Sequence, residues 1–212
     1  WYNEENHLLR SGTLGNSCMA NKPGKFFNIY AENPNTCNLL IMTVGDKLVA
    51  RALVWKLNSF KTDEIKGGVK PEYFLDRVYS IEDYQTEKMR RFALDKGWAI
   101  RSYNSGHHYN NVSWKGHKYD NVSMSVKVKK SNYEDTYPYM DTFCYYDRSS
   151  GVLYNNVEYN PEDILYLRST NGSGPLLEEE FRWSDRYGEW IHIDDACYCI
   201  DIDDYVRTDS AT

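Results

Sequence analysis

The stretch CNLLIMTVGDKLVARALVWKL, residues 37–57, decides the fold. Its first part, CNLLIMTV, is an apolar run of strand length, and Gly45 and Asp46 then form a turn. The second part, KLVARALVWKL at 47–57, alternates with a period of two residues, and both of its faces are largely apolar. A strand that is apolar on both faces is typical of the interior of a sheet. We therefore predict a β-hairpin whose second strand is central.

Beyond this hairpin the pattern changes to strand, helix and strand. YFLDRVYS at 73–80 predicts a strand, and a helix follows it with Ser80 as N-cap and Gly97 as left-handed C-cap. WAIRSY at 98–103 returns to extended structure. This order predicts an α/β or α+β fold with a mixed β-sheet and few helices, one of which covers a face of the sheet.

The composition excludes several classes of protein. The chain has 212 residues with 25 basic and 31 acidic side chains, so a net charge of -6 does not favour direct nucleic-acid binding. No apolar run approaches the roughly 18 to 20 residues that a membrane-spanning helix needs, so we expect no membrane partner. The five cysteines include no C-x-x-C pair and follow no cleavable apolar leader, which favours a reducing cytoplasm.

Aromatic residues divide into a core set and a surface set. The chain has 19 tyrosines and 6 tryptophans but only 7 phenylalanines, a choice typical of wet pockets and interfaces. Four rings lie in segments of apolar periodicity and are expected in the core, namely Tyr30, Trp55, Tyr84 and Trp98. The polar stretch 104–120 predicts an exposed loop or irregular hairpin, and its Tyr109 and Trp114 are candidate partner-binding residues.

The C-terminal part carries a linker and an internal repeat. STNGSGP at 169–175 predicts a linker between a main domain, 1–168, and a C-terminal region, 176–212. Within that region WSDRYGEWIHIDDA at 183–196 aligns with YCIDIDDYVRTDSA at 198–211 at a period of 15 residues. We expect each unit to be a short aromatic hairpin with acids at its turn. Trp190 and Tyr205 are therefore candidate partner-binding residues on a small, β-rich, acidic region.

Cys18 is the first candidate for catalysis. It follows Gly12 and Gly15 in a loop of small residues, whose backbone amides can lower the pKa of a thiol. His107 and His108, with His117 beyond them, could supply the base. The alternative is a buried, unreactive Cys18 and solvated loop histidines. Cys197 and Cys199 with His192 supply fewer ligands than structural zinc requires, so we expect no metal site.

A ligand site is also possible on the strands. If Arg51 and Arg77 share a sheet face, they can clamp a phosphate or carboxylate bidentately, with the aromatic rings of Trp55 and Tyr79 stacking beside it. The alternative is that the arginines form ion pairs with nearby acids, namely Asp76, Glu72 or Asp83.

Several motifs carry a resemblance to known proteins. GTLGNSCM at 12–19, ARALVW at 50–55, DRVYS at 76–80 and YPYMDTF at 137–143 resemble a family of uncharacterised proteins of tailed bacteriophages, over about residues 11–156. The resemblance implies a viral protein that acts in the cytoplasm of the infected bacterial cell. The order of elements is also similar to the core of the GNAT acetyltransferase superfamily, which implies acyl-CoA as a cofactor. VYSIEDYQTEKM at 78–89 lacks that superfamily's glycine-rich pyrophosphate loop.

Three functional hypotheses follow from these observations. The first is a phage accessory protein, for example in counter-defence, that binds a host or viral macromolecule without catalysis and needs no cofactor. The second is a GNAT-like transferase or another small-molecule enzyme that uses Cys18 or a tyrosine. The third is a protein that sequesters a nucleotide signal at Arg51 and Arg77.

Overall fold

The computed structural model of the chain describes residues 24–65, 69–104, 110–130, 137–157, 164–167, 174–175, 181–187 and 189–208. A 3-10 helix, Gly24–Phe27, leads into the short helix α1, Asn28–Ala31, and the long helix α2 spans Asp83–Asp95. Within the part of the chain that the structure describes, no helix is long and apolar enough to cross a membrane.

The first sheet contains the predicted hairpin. Its strands are β1 (Cys37–Val44), β2 (Lys47–Lys56), β4 (Tyr73–Leu75), β5 (Tyr79–Ser80), β6 (Ala99–Arg101), β7 (Val112–Trp114) and β8 (His117–Tyr119). They lie in the order β1-β2-β4-β6-β7-β8, and β5 also pairs with β2. Only the β4–β6 pair is parallel among the described pairs of this sheet, and α2 lies between these strands in sequence. The central position predicted for the second hairpin strand is confirmed.

The second sheet is antiparallel throughout its described pairs. It consists of β3 (Ser59–Lys61), β9 (Ser123–Lys127), β10 (Tyr145–Asp147), β11 (Val152–Tyr154), β12 (Ile164–Tyr166) and β13 (Gly174–Pro175), in the order β13-β12-β10-β11-β9-β3. Gly174 and Pro175 belong to the predicted linker 169–175, and they pair with β12. The other residues of that linker lie outside the described residues, so the domain division stays a prediction.

The elements stack in three layers, because the first sheet is buried on both faces. Along β2, Ala50, Ala52 and Val54 face the apolar side of α2, where Met89 and Ala93 complete a small core. The intervening residues face the second sheet, and Trp55 lies there in the larger core with Phe143. The chain is thus a mixed α/β protein built mainly of strands, as the sequence predicts.

The helix α2 begins later than expected and buries a different face. Its N-cap is Glu82 rather than Ser80, because the side chain of Gln85 accepts the backbone N–H of Glu82 at 3.0 Å. Gly97 has a φ of +74°, which confirms the left-handed turn predicted at the C-terminal end. Tyr84, expected in the core, is 53% exposed.

Two short hairpins follow the second sheet, and they confirm the period of the repeat. The first pairs β14 (Phe181–Ser184) with β15 (Glu189–His192), and the second pairs β16 (Ala196–Cys199) with β17 (Asp204–Arg207). Adding 15 to each bound of the first hairpin gives the bounds of the second. Trp183 pairs with Trp190, as Tyr198 pairs with Tyr205.

Candidate functional site

The four residues predicted to bind a ligand meet at one place between the two sheets. Arg51 on β2 pairs with Tyr79 on β5, and its guanidinium carbon lies 4.1 Å from the centre of the tyrosine ring. The guanidinium of Arg77 lies 5.1 Å from the same ring centre. Trp55 lies on the same face of β2 as Arg51, because the two residues are four apart on a strand. Their convergence follows from this alternation.

Asp141 connects Arg77 and Tyr79 to the chain that enters the second sheet. It precedes β10, and one of its carboxylate oxygens accepts a hydrogen bond from the Tyr79 hydroxyl at 2.7 Å. Its other oxygen lies 3.3 Å from Nη1 of Arg77 in an ion pair. An ion pair was one of the predicted alternatives, but the acid is not any of the three named from the sequence, because Asp141 lies 64 residues from Arg77.

Asp76 is the most enclosed acid of this group. One carboxylate oxygen accepts a bond from Nε1 of Trp55 at 3.2 Å, and the other accepts bonds from the backbone N–H of Arg77 and the hydroxyl of Thr142. Burial, and then the charge of Asp141, raises the pKa of Asp76, while the charge of Arg101 opposes that rise. We call Arg51, Asp76, Arg77, Tyr79, Arg101 and Asp141 the Arg–Asp cluster.

Four groups in and beside the cluster titrate outside the physiological range, namely Tyr30, Cys37, Arg77 and Tyr79. Burial, followed by the charge of Asp141, raises the pKa of Tyr79, and burial also raises the pKa of Tyr30 and Cys37 well above their usual values. Burial lowers the pKa of the Arg77 guanidinium, but the charge and hydrogen bond of Asp141, together with Tyr79 and Tyr139, outweigh burial and leave that pKa raised. Arg77 therefore stays charged and both phenols stay neutral, which suits a structural network better than proton transfer.

The cluster can hold the two sheets together with its own groups. The acids Asp76 and Asp141 bind Trp55, Arg77 and Tyr79 of the first sheet, and Thr142 joins them from the chain entering the second. Asp141 thus takes at Arg77 the contact that a phosphate would make. Both acids interrupt apolar segments of the sequence, YFLDRV and YMDTF, and a charge in such a run is the signal that could have found them.

Other predicted site residues are placed differently. Cys18, His107, His108 and Tyr109 lie outside the described residues, so the structure neither joins nor separates them. Trp114, expected on a contact surface, is only 4% exposed. Its Nε1 donates to the carbonyl of Gly97 at 3.0 Å and its ring packs against Phe60, because β7 continues the first sheet and points this side chain into the core. The prediction for Trp114 is therefore wrong.

Metal ligation finds no support in the described part of the chain. No group of three or more His, Cys, Asp or Glu side chains there is arranged to hold a metal ion. Cys37 and Cys144 are buried and form no disulfide, whereas Cys197 and Cys199 are partly exposed on β16.

The first C-terminal hairpin is fastened to the second by one carboxylate. Asp204, the first residue of β17, accepts hydrogen bonds from the hydroxyl of Ser184 at 3.1 Å and from the backbone N–H of Asp185 and Arg186 at 3.2 and 2.8 Å. Desolvation alone would raise the pKa of Asp204, but these bonds outweigh it and lower the pKa. The turn of the first hairpin is thus bonded to the second.

Among the described residues, no bond of this kind from another element holds the turn of the second hairpin. Ile200 is 85% exposed, Ile202 is 43% exposed, and Tyr198 beside them is 51% exposed. Asp201 and Asp203 alternate with the isoleucines and are also exposed. The Tyr198 hydroxyl donates to the carboxylate of Asp203. We call Tyr198, Ile200, Asp201, Ile202 and Asp203 the acidic tip.

One of the two aromatic residues predicted to bind a partner in this region, Tyr205, packs against the acidic tip. The ring of Tyr205 packs on that of Tyr198 with a centroid distance of 5.2 Å, and it is partly buried. Trp190 lies on β15, where its backbone pairs with Trp183, and its side chain is outside the described residues. Tyr205 therefore packs against Tyr198 of the tip and does not form the outermost surface of the tip.

No protein-family model, curated protein or solved structure matches this chain. The likeness to phage proteins and to acetyltransferases accordingly stays a prediction. A function must be inferred from the two sites described above, the Arg–Asp cluster and the acidic tip.

Proposed function

We propose that the chain is a non-catalytic binding protein whose acidic tip docks on a basic partner protein. With the resemblance to phage proteins, this makes it an accessory protein that binds a host or viral protein in the cytoplasm of an infected bacterial cell. The observation that carries the proposal is Ile200, a large apolar side chain that is 85% exposed at the end of a hairpin.

An exposed isoleucine of this kind is suited to anchoring an interface. Moving such a side chain from water into an apolar pocket yields about 1.5–3 kcal/mol. Single exposed apolar residues are common, but here Ile200, Ile202 and Tyr198 are neighbours on one turn. Binding energy in interfaces is concentrated in a few such anchors near the centre of the contact.

The charge around the anchors indicates the partner. Asp201 and Asp203 are exposed beside the isoleucines, and the following Asp204 is used internally. An acidic rim attracts a basic protein surface and repels a phosphate backbone. The partner is therefore expected to present an apolar pocket rimmed by Lys or Arg, and binding should weaken as salt is added.

The two other hypotheses remain proposals with less support. Sequestering a nucleotide at Arg51 and Arg77 requires an anion to displace Asp141 from Arg77, and the ion pair there is already formed at 3.3 Å. An acyl-transfer enzyme using Cys18 has no support from the described residues. The acidic tip needs no rearrangement to bind, and this favours the binding function.

The proposal is tested by affinity capture from bacterial lysate at rising salt concentration. Wild-type protein is compared with Ile200→Asp, with Asp201→Lys, and with Val44→Asp as the matched control, because Val44 is a 62% exposed apolar residue at another hairpin turn. We expect basic proteins to be captured by the wild type and the control, and lost with both tip variants and with salt. Capture that both tip variants retain would contradict the proposal.

A further inference from the structure

The exposed large hydrophobic side chains gather in two places. Among the residues that the structure describes, one set lies on α2 and its flanks and a second set lies on the C-terminal hairpins. The first set is Ile81, Tyr84, Phe92, Leu94 and Tyr103, the second is Ile193, Tyr198, Ile200 and Ile202, and the remaining two are Val44 and Val69. The two sets differ in the charges that accompany them.

On α2 the exposed rings are accompanied by lysines. Tyr84, Lys88, Phe92 and Lys96 follow one another at intervals of four residues, so they are neighbours along the helix surface. The ammonium of Lys88 lies 5.3 Å from the ring centre of Tyr84, and that of Lys96 lies 5.5 Å from the ring centre of Phe92. We call these four residues the α2 ladder.

The C-terminal half of this helix surface is positively charged. Lys88, Arg91 and Lys96 are exposed and contribute three positive charges, and the exposed Asp95 contributes one negative charge, which leaves a net charge of +2. Glu87, which directly precedes Lys88, forms an ion pair with Arg90 at 3.6 Å. The α2 ladder therefore combines apolar rings with positive charge, as the acidic tip combines isoleucines with negative charge.

We propose that the acidic tip of one copy of this chain docks on the α2 ladder of a second copy. The proposal rests on the binding role proposed for the tip and names a partner for it. Ile200 and Ile202 would cover the rings of Tyr84 and Phe92, while Asp201 and Asp203 would approach the lysines. Apolar contact and opposite charge are both satisfied by one pairing.

The pairing is head to tail, because the two surfaces are different patches of the same molecule. When the same two copies do not return the contact to each other, each added copy leaves one tip and one ladder open. The self-associated form therefore grows with protein concentration. It also occupies tips, so a basic partner protein competes with self-association.

The experiment uses two charge-changed variants of the full chain. The tip variant carries Asp201→Lys and Asp203→Asn, with Asn at 203 because that residue has a φ of +53°, which Asn adopts readily. The ladder variant carries Lys88→Glu and Lys96→Glu. The control carries Lys47→Glu and Lys61→Glu, two exposed lysines elsewhere, and has the same net charge as the ladder variant.

Sedimentation velocity over a range of protein concentrations and at low and high salt supplies the readout. Wild type and control are expected to associate as concentration rises and to dissociate in high salt. Each of the other variants alone should stay monomeric. Their equimolar mixture should associate again, because both tip-to-ladder contacts between the two variants join opposite charges.

Three outcomes would overturn the inference. They are a wild type that is monomeric at every concentration, self-association that the tip or ladder variant retains, and an equimolar mixture that stays monomeric. Failure here is distinguishable from failure of the proposed function, since capture of a basic partner that depends on Ile200, with a monomeric wild type, would leave the binding function standing. Circular dichroism of each variant confirms that the change is not due to unfolding.

Discussion

The charged side chains between the layered sheets and those at the acidic tip of the C-terminal hairpins differ in burial. Between the sheets, Asp76 and Arg101 are buried, and Asp76 accepts bonds from three partners. At the acidic tip, Asp201 and Asp203 are exposed, and so are the isoleucines beside them. Removing a charge from water is costly unless it is bonded, so buried charges are held in place and become structural. The exposed set has no such constraint and is free to meet a partner.

The two regions also differ in how much core supports them. The large core between the sheets contains aromatic side chains in mutual contact, among them Trp55, Phe74 and Phe143. Each C-terminal hairpin has two strands of four residues, and a two-stranded hairpin is only marginally stable by itself. Substitutions should therefore change the stability of the layers strongly and that of the hairpins weakly.

The largest effect is expected from Asp76→Ala. The change leaves the indole N–H of Trp55 and the hydroxyl of Thr142 without their acceptor and removes a negative charge that interacts with Arg101. Breaking a buried charged network in this way costs about 3–5 kcal/mol in the free energy of unfolding. Urea denaturation measures it, with Asp63→Ala at an exposed acid as the control. A loss no greater than that of the control would remove the structural role of the cluster.

A smaller effect is expected from pH, with opposite signs in the two regions. The pKa of Asp76 is raised in the folded protein, so its contribution to stability is complete below the unfolded pKa and is lost as pH rises through the folded pKa. Relative to Asp76→Asn, the wild type should gain about 1.4 kcal/mol for each unit by which the pKa is raised, as pH falls through that window. Urea denaturation of both proteins between pH 7 and 4 tests the sign. An unchanged difference would contradict the raised pKa.

In the hairpins, Asp204→Asn is expected to cost about 1 kcal/mol, because three donors lose a charged acceptor that is itself only partly buried. The pKa of Asp204 is lowered in the folded protein, so this contact is complete above the unfolded pKa and is lost as pH falls through the folded pKa. Hydrogen exchange of the Arg186 amide measures the opening of the turn. Exchange equally slow in both proteins would show that Asp204 does not hold the two hairpins together.

Local patterns in the sequence predict the strands, the long helix and the terminal hairpins. Contacts between distant parts of the chain decide how these elements pair. Alternation in 47–57 placed β2, Gly97 marked the end of α2, and the 15-residue period placed both terminal hairpins. Nothing local indicates that Asp141 meets Arg77, because the two lie 64 residues apart in the chain. The alternation with lysines in segment 123–130 is typical of an edge strand. In the structure β9 instead lies between β11 and β3, because the short β3 comes from a distant part of the chain.

The candidate site, too, could be predicted in part from local spacing and in part could not. The shared strand face of Arg51 and Trp55 could be predicted from spacing, and the structure brings Arg77 and Tyr79 to them. That Asp141 bonds Arg77 could not be predicted, and this contact is what makes the cluster structural. Trp114 was assigned to a surface from the polarity of its neighbours, whereas pairing of β6 with β7 turns it inward.

Ile200→Asp tests the central claim most directly, namely that the layers carry stability and the tip carries binding. Because Ile200 is 85% exposed, the free energy of unfolding should change by less than about 0.5 kcal/mol. Capture of the basic partner should be lost at the same time. The measurement is a urea denaturation curve and a capture assay on one preparation of the variant, beside wild type and Val44→Asp. An unchanged curve with lost capture is the predicted result, and an unchanged curve with full capture would contradict it.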